Sequence, residues 1–183
     1  ETKVNGLIMP GHVAVITGYN CWRGFAQEYG MPMVVAGFEP LDILMSCYML
    51  VKQIHEGRVD VENEYTRLVK PDGNPIARRL IEEDFVLEDR TWRGFPVIPK
   101  SALALHPKHA DHDATKVHAG ILKTTPQVEE EAKGCRCGEV LRGILRSEEC
   151  PMFGKACKPM NPMGPCMVSD EGSCHIAYKF RKV

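Results

Sequence analysis

Six cysteines fall between Cys135 and Cys174, in the pattern Cys135-x-Cys137-x12-Cys150-x6-Cys157-x8-Cys166-x7-Cys174. Thiolate sulfur is a ligand for zinc and for iron–sulfur clusters. A cubane cluster takes four thiolates, so six leave two to spare. Two spare thiols beside a cluster can close to a disulfide that the cluster reduces or oxidises. Structural zinc also takes four ligands, but its familiar arrays use paired C-x2-C knuckles. No C-x2-C pair occurs here. The one close pair is C-x-C, whose side chains share a face only where the chain is extended. Pro151 follows Cys150 and Pro165 precedes Cys166, fixing the chain beside each thiol. Spacing favours an iron–sulfur site, with a zinc-stapled interaction module as the alternative. Structural disulfides are the third reading, and the absence of a secretion signal speaks against them.

Composition narrows the setting. Of eight cysteines, only Cys21 and Cys47 lie outside the cluster, each among apolar residues on an expected helix, where a core role is expected. Clustering without a secretion signal points to a reducing, cytoplasmic compartment. A formal net charge of −1 gives no footprint for nucleic acid or a membrane surface. No apolar run is long enough for a membrane helix. The chain starts Glu-Thr-Lys-Val-Asn, without a Met, which reads as a start inside a longer protein.

The elements that must position these thiols follow from periodicity. Residues 5–9 read as a short buried strand ended by Pro10-Gly11-His12, and residues 13–29 as helix broken near Gly18. Met33 to Ala36 is a second strand. Pro40 opens the clearest helix, with Leu44, Cys47, Tyr48, Val51 and Ile54 at three- and four-residue spacing and Gly57 as its stop. Strand, helix, strand, helix with short connections implies a parallel βαβ unit. A further strand is expected over Val59–Tyr65 and a helix over Ile76–Phe85 with Leu80 and Ile81 inward. Short strands are expected at Phe85–Leu87 and Val97–Ile98. A linker falls within residues 103–133, His-rich first and acidic later. Beyond it Pro and Gly are dense, and only Glu139–Arg146 looks helical. So irregular a segment needs a covalent or metal staple. The fold class is α/β: a Rossmann-like parallel-sheet sandwich over residues 1–120, then a linker and small cluster domain over 121–183.

Other candidates stand beside bland readings. His12 and Glu39 follow the first and second strands. In a parallel sheet both lie at the carboxyl edge, where open α/β folds bind ligands. There they would touch a metal centre or a partner, or be a satisfied turn histidine and a helix-start carboxylate. Asp42, an acid in a first helical turn, is weaker. His106, His109, His112 and His118 have the types to hold nickel or zinc, or form a solvated linker. Trp22 and Trp92 read as packing residues. Glu171, three residues before Cys174, either tunes a cluster or relays protons, or is a surface acid. No G-x-G-x-x-G or P-loop supports a nucleotide-binding enzyme.

Three longer motifs carry a resemblance. They are Gly134-Cys135-Arg136-Cys137-Gly138-Glu139-Val140-Leu141-Arg142-Gly143, Cys150-Pro151-Met152-Phe153-Gly154-Lys155-x-Cys157, and Gly164-Pro165-Cys166-Met167-Val168-Ser169-x-Glu171-Gly172-x-Cys174. They resemble the C-terminal signature of the hydrogenase maturation family HypD. Pro10-Gly11-His12-Val13, Val34 to Leu44, Val61-Glu62-Asn63-x-Tyr65-Thr66-Arg67 and Trp92-Arg93-Gly94 sit in family order. The resemblance implies a scaffold in [NiFe] hydrogenase maturation with redox-active cysteines, rather than an ordinary enzyme. On it, with a small HypC-type chaperone and a HypE-type cyanide donor, the Fe(CN)2CO centre is assembled. It also implies one [4Fe–4S] cluster, with Cys135, Cys150, Cys157 and Cys174 as ligands and Cys137 and Cys166 as a redox pair. The Cys135 and Cys137 roles are interchangeable at this spacing. The sequence departs from the family in lacking its Cys-Gly-x-His and Cys-Pro-x-Cys motifs.

Overall fold

The computed structural model describes residues 3–92, 95–124 and 133–180. Two compact units emerge, Val4–Asp84 and the described residues from Phe85 onward together with Lys3.

In the first unit, strand β1 (Leu7–Pro10) runs into helix α1 (Gly11–Thr17), and a 3-10 turn over Asn20–Trp22 leads to α2 (Arg23–Tyr29). Strand β2 (Met33–Ala36), α3 (Pro40–His55), β3 (Val61–Asn63) and α4 (Pro75–Asp84) follow. The strands form one parallel sheet in the order β1-β2-β3, with Leu7 opposite Met33 and Met33 opposite Val61. The expected βαβ pattern is therefore present. Strand β2 is central and buried throughout, which suits its unbroken Met-Val-Val-Ala run. Its core joins Met33, Val35 and Val61 to Ala14, Ala26, Tyr65 and Val69, with Trp22 packed at the margin.

Helix α3 has the expected bounds, but Cys47 is exposed on it and is not the core residue expected. Asp42, Ser46 and Gln53 are its buried residues. Leu44, Cys47, Tyr48, Val51 and Ile54 are exposed. Hydrogen bonding explains the buried polar side. The Gln53 Nε2 donates to Met33 O at 3.2 Å, and the Gln53 Oε1 accepts from Asp60 N–H at 3.0 Å, tying together the starts of β2 and β3. Asp42 accepts from Glu39 N–H and closes the first turn. Cys21 is likewise exposed rather than core, and Leu80 points outward while Ile81 is half-buried.

In the second unit, β4 (Phe85–Thr91) and β5 (Val97–Leu105) form an antiparallel hairpin, longer than the two short strands expected. Trp92 is exposed, and its indole N–H donates to Ser101 Oγ at 2.7 Å. Arg93 and Gly94 of its motif lie outside the described residues. The His-rich stretch folds as a 3-10 turn over Pro107–His112, then α5 (Ala114–Val117) and α6 (Ala119–Thr124). The acidic tract up to residue 132 lies outside the described residues. The cysteine region holds α7 (Cys137–Leu141), a 3-10 turn over Ser147–Glu149, α8 (Pro165–Val168) and α9 (Ser173–Phe180). The expected helix over Glu139–Arg146 thus starts and ends earlier, and α9 was not expected. No helix among the described residues is long and apolar enough to cross a membrane.

Candidate metal centre

All six clustered cysteines lie in the second unit, and their environments differ from that of Cys47. Cys137, Cys150, Cys157, Cys166 and Cys174 are buried, and Cys135 is half-buried. Cys137, Cys157, Cys166 and Cys174 form one core with Met167, and Cys135, Val140, Met152, Phe153 and Met163 pack against it. This core is built of sulfur more than of branched hydrocarbon. Tight turns bring it together: Cys157 N–H donates to Met152 O at 2.9 Å, and Phe153 N–H to Cys150 O at 3.0 Å.

Two backbone donors point at sulfur. Met163 N–H reaches Cys157 Sγ at 3.4 Å, and Cys166 N–H reaches Cys137 Sγ at 3.4 Å. Such donors stabilise a thiolate over a thiol. The Cys166 S–H donates to Cys174 Sγ at 3.2 Å. That bond draws the Cys174 pKa down to about 6 against the opposing effect of burial. The same bond, with burial, pushes Cys166 well above the thiol range. Burial pushes Cys135 up. Gly164 sits where the chain passes closest to the C-x-C pair. A Cβ there would stand 2.6 Å from Cys135 Sγ and 3.2 Å from Cys137 Cβ.

These residues fit a cubane in donor type, number and burial. Each thiolate of such a cluster binds a different iron, so the four need not converge on one point. Among the described residues, no three His, Cys, Asp or Glu side chains are grouped to hold a single metal ion. That includes the His106 to His118 stretch. His106 instead accepts from Lys108 N–H, closing its own turn.

The carboxyl edge of the parallel sheet forms a separate group in the first unit. His12, exposed just beyond β1, stacks on Phe38 with ring centroids 4.3 Å apart. Glu39 is exposed and 3.5 Å from Arg67. Arg67 forks onto Asp42 at 2.9 and 2.6 Å and lies 4.4 Å over the Tyr65 ring. The Arg67 guanidinium holds the Asp42 carboxyl below its ordinary range. A small apolar cleft beside it is lined by Met9, Gly37, Phe38 and Ile43 among others. Sequence reading passed over Arg67 and Met167. Arg67 had a signal, a lone arginine just past a strand and a turn tyrosine. Met167 had its place beside Cys166 in the third of the family motifs. Glu171 is exposed, and its backbone N–H donates to Ser169 Oγ. His175 faces Met167 O at 3.2 Å.

Comparison with known proteins gives a family match over nearly the whole chain. The model of HypD, described as the Hydrogenase formation hypA family, matches residues 1–181. The chain belongs to the HypD family. A provisionally named hydrogenase expression/formation protein of Methanocaldococcus jannaschii is 46% identical over 181 residues, which cover 98% of this chain and 49% of the relative. Two proteins named hydrogenase maturation factor HypD are similar at 42% identity over 184 residues in Rhizobium leguminosarum and 40% over 178 residues in Cupriavidus necator. The matches cover 98% and 97% of this chain and 47% and 46% of those proteins. The chain thus spans about half the length of the curated HypD relatives it matches.

Proposed function

We propose that this chain serves in [NiFe] hydrogenase maturation as part of the scaffold and electron-delivery component on which the Fe(CN)2CO centre is assembled. The observation that carries this reading is the gathering of six cysteines, five of them buried, in one unit of a HypD-family chain. Cys135, Cys150, Cys157 and Cys174 hold a [4Fe–4S] cluster, and Cys137 and Cys166 remain as a dithiol. When bound, the cluster supplies one-electron redox chemistry. The chain's own residues do the rest. Met152, Phe153, Met163 and Met167 keep water from the sulfurs, and the backbone N–H groups of Cys166 and Met163 point at the sulfurs of Cys137 and Cys157. Closing the dithiol releases two electrons and two protons.

The parallel sheet is read as part of a Rossmann-like layer, and residues 121–183 as the linker and cluster domain. His12 and Glu39 face a HypC-type chaperone, a HypE-type cyanide donor or the nascent iron at the sheet edge. Glu171, being exposed, serves the cluster only through solvent or a partner. The reduced thiols suit the cytoplasm.

A second reading of the dithiol has its own support, because Cys166 Sγ lies 3.2 Å from Cys174 Sγ. In it Cys166 and Cys174 are the redox pair, and Cys137 is the fourth ligand. Anaerobic purification decides the main proposal. The expected product is brown, with about four irons and four sulfides per chain. Colourless protein with one tightly held zinc overturns it. Replacing Cys166 with Ser leaves the iron in place under either pairing.

A further inference from the structure

Helix α3 is apolar on the side turned away from its own sheet. Leu41, Leu44, Tyr48 and Val51 are 69%, 67%, 61% and 64% exposed, and Cys47 and Ile54 are exposed beside them. From Leu41 to Val51 the one charged residue is Asp42, which is buried and paired with Arg67. The inner side of α3 is already taken up by Asp42, Ser46 and Gln53, so the exposed apolar stripe is a second, separate face, and a contiguous exposed apolar patch marks an interaction site. We propose that this stripe is the seat of the half of the HypD chain that these residues do not span, a polypeptide layer docking in cis through an uncharged apolar face.

Length and area choose this occupant. Each curated relative carries about as much chain again as the part matched here. The stripe is about 20 Å long and about 10 Å wide. That is well short of the roughly 800 Å² per partner that separate chains need for stable association. A covalently tethered layer works at high effective concentration and needs far less. From Leu41 to Val51 the exposed face offers no charge by which an acidic or basic partner would be recognised.

Cys47 lies on the stripe and reports on it. The test is a full-length chimera in which this chain replaces the matched half of the Methanocaldococcus relative, compared with this chain alone. Maleimide labelling of Cys47, located by peptide mapping, is expected to slow at least about tenfold in the chimera. Leu44→Glu with Tyr48→Glu is expected to lower the melting temperature of the chimera and leave that of this chain unchanged. Equal labelling rates overturn the proposal. So does a dimer of this chain alone, cross-linked through Cys47, which would make a second copy the occupant. The proposal rests on family membership and not on the metal, so an iron-free cysteine unit would leave it standing.

Discussion

Asp42 and Arg67 show how one pair fixes a strand end. The carboxylate is buried on α3 and receives both arms of the guanidinium, while Arg67 itself is half-exposed. Because the folded pKa of Asp42 is lowered, its stabilising effect is complete above the ordinary carboxylate range and fades as pH falls through the folded value. Thermal melts against pH should therefore show a loss of stability below about pH 4, and Asp42→Asn should flatten that acid limb. An unchanged limb would mean that other carboxylates carry it. Gly37 is part of the same construction, since a Cβ there would overlap Asp42 Oδ2. Gly37→Ala should cost about 1–3 kcal/mol in urea unfolding, the usual range for overpacking. In the cluster unit, disulfide mapping of oxidised, metal-free protein should find Cys166 bridged. A Cys137–Cys166 bond supports the family-derived pair, and a Cys166–Cys174 bond supports the contact seen in the structure.

At the scale of elements, β2 is the member on which the first unit depends. Met33 is almost wholly buried at its start, pairs with both neighbouring strands and receives the Gln53 amide. Met33→Ala should destabilise that unit by about 2–5 kcal/mol, measured by urea midpoint at constant slope. Strand β2 and helix α3 were legible because their signals are local: a Val-rich run closed by Gly37, then Pro40 and a period of 3.6 ended near Gly57. The facing of α3 was not legible. Periodicity marks a stripe but not what covers it, and here the sheet-facing side is held by Gln53 and Asp42 through bonds to residues far along the chain. Helix α9 escaped notice for a different reason. It is short, and its buried residue is Cys174, which reads as a ligand before it reads as packing. Within the candidate site, the six thiols were legible as a group. Their pairing was not, because contacts such as that of Cys166 with Cys174 depend on how tight turns close.

The two units of the molecule are held by different physics. Val4–Asp84 has a hydrocarbon core around Met33, Val35, Val61 and Tyr65. The cysteine unit places sulfur where such a core would be, with Met167 fully buried among the thiols. Short helices and turns surround it, the kind of irregular segment that a metal or covalent staple holds in place. If the second unit holds the proposed cluster, its folding is coupled to metal binding, and that of the first unit is not. Removing the metal with a chelator under reducing conditions should strip hydrogen-exchange protection from the amides of Cys157, Met163 and Met167, while those of β2 keep theirs. The Met163 and Cys166 amides should respond most sharply, because their acceptors are the sulfurs themselves. Protection that survives chelation in the cysteine unit would show that its packing suffices, and the metal would then be a reagent of the unit and not its core.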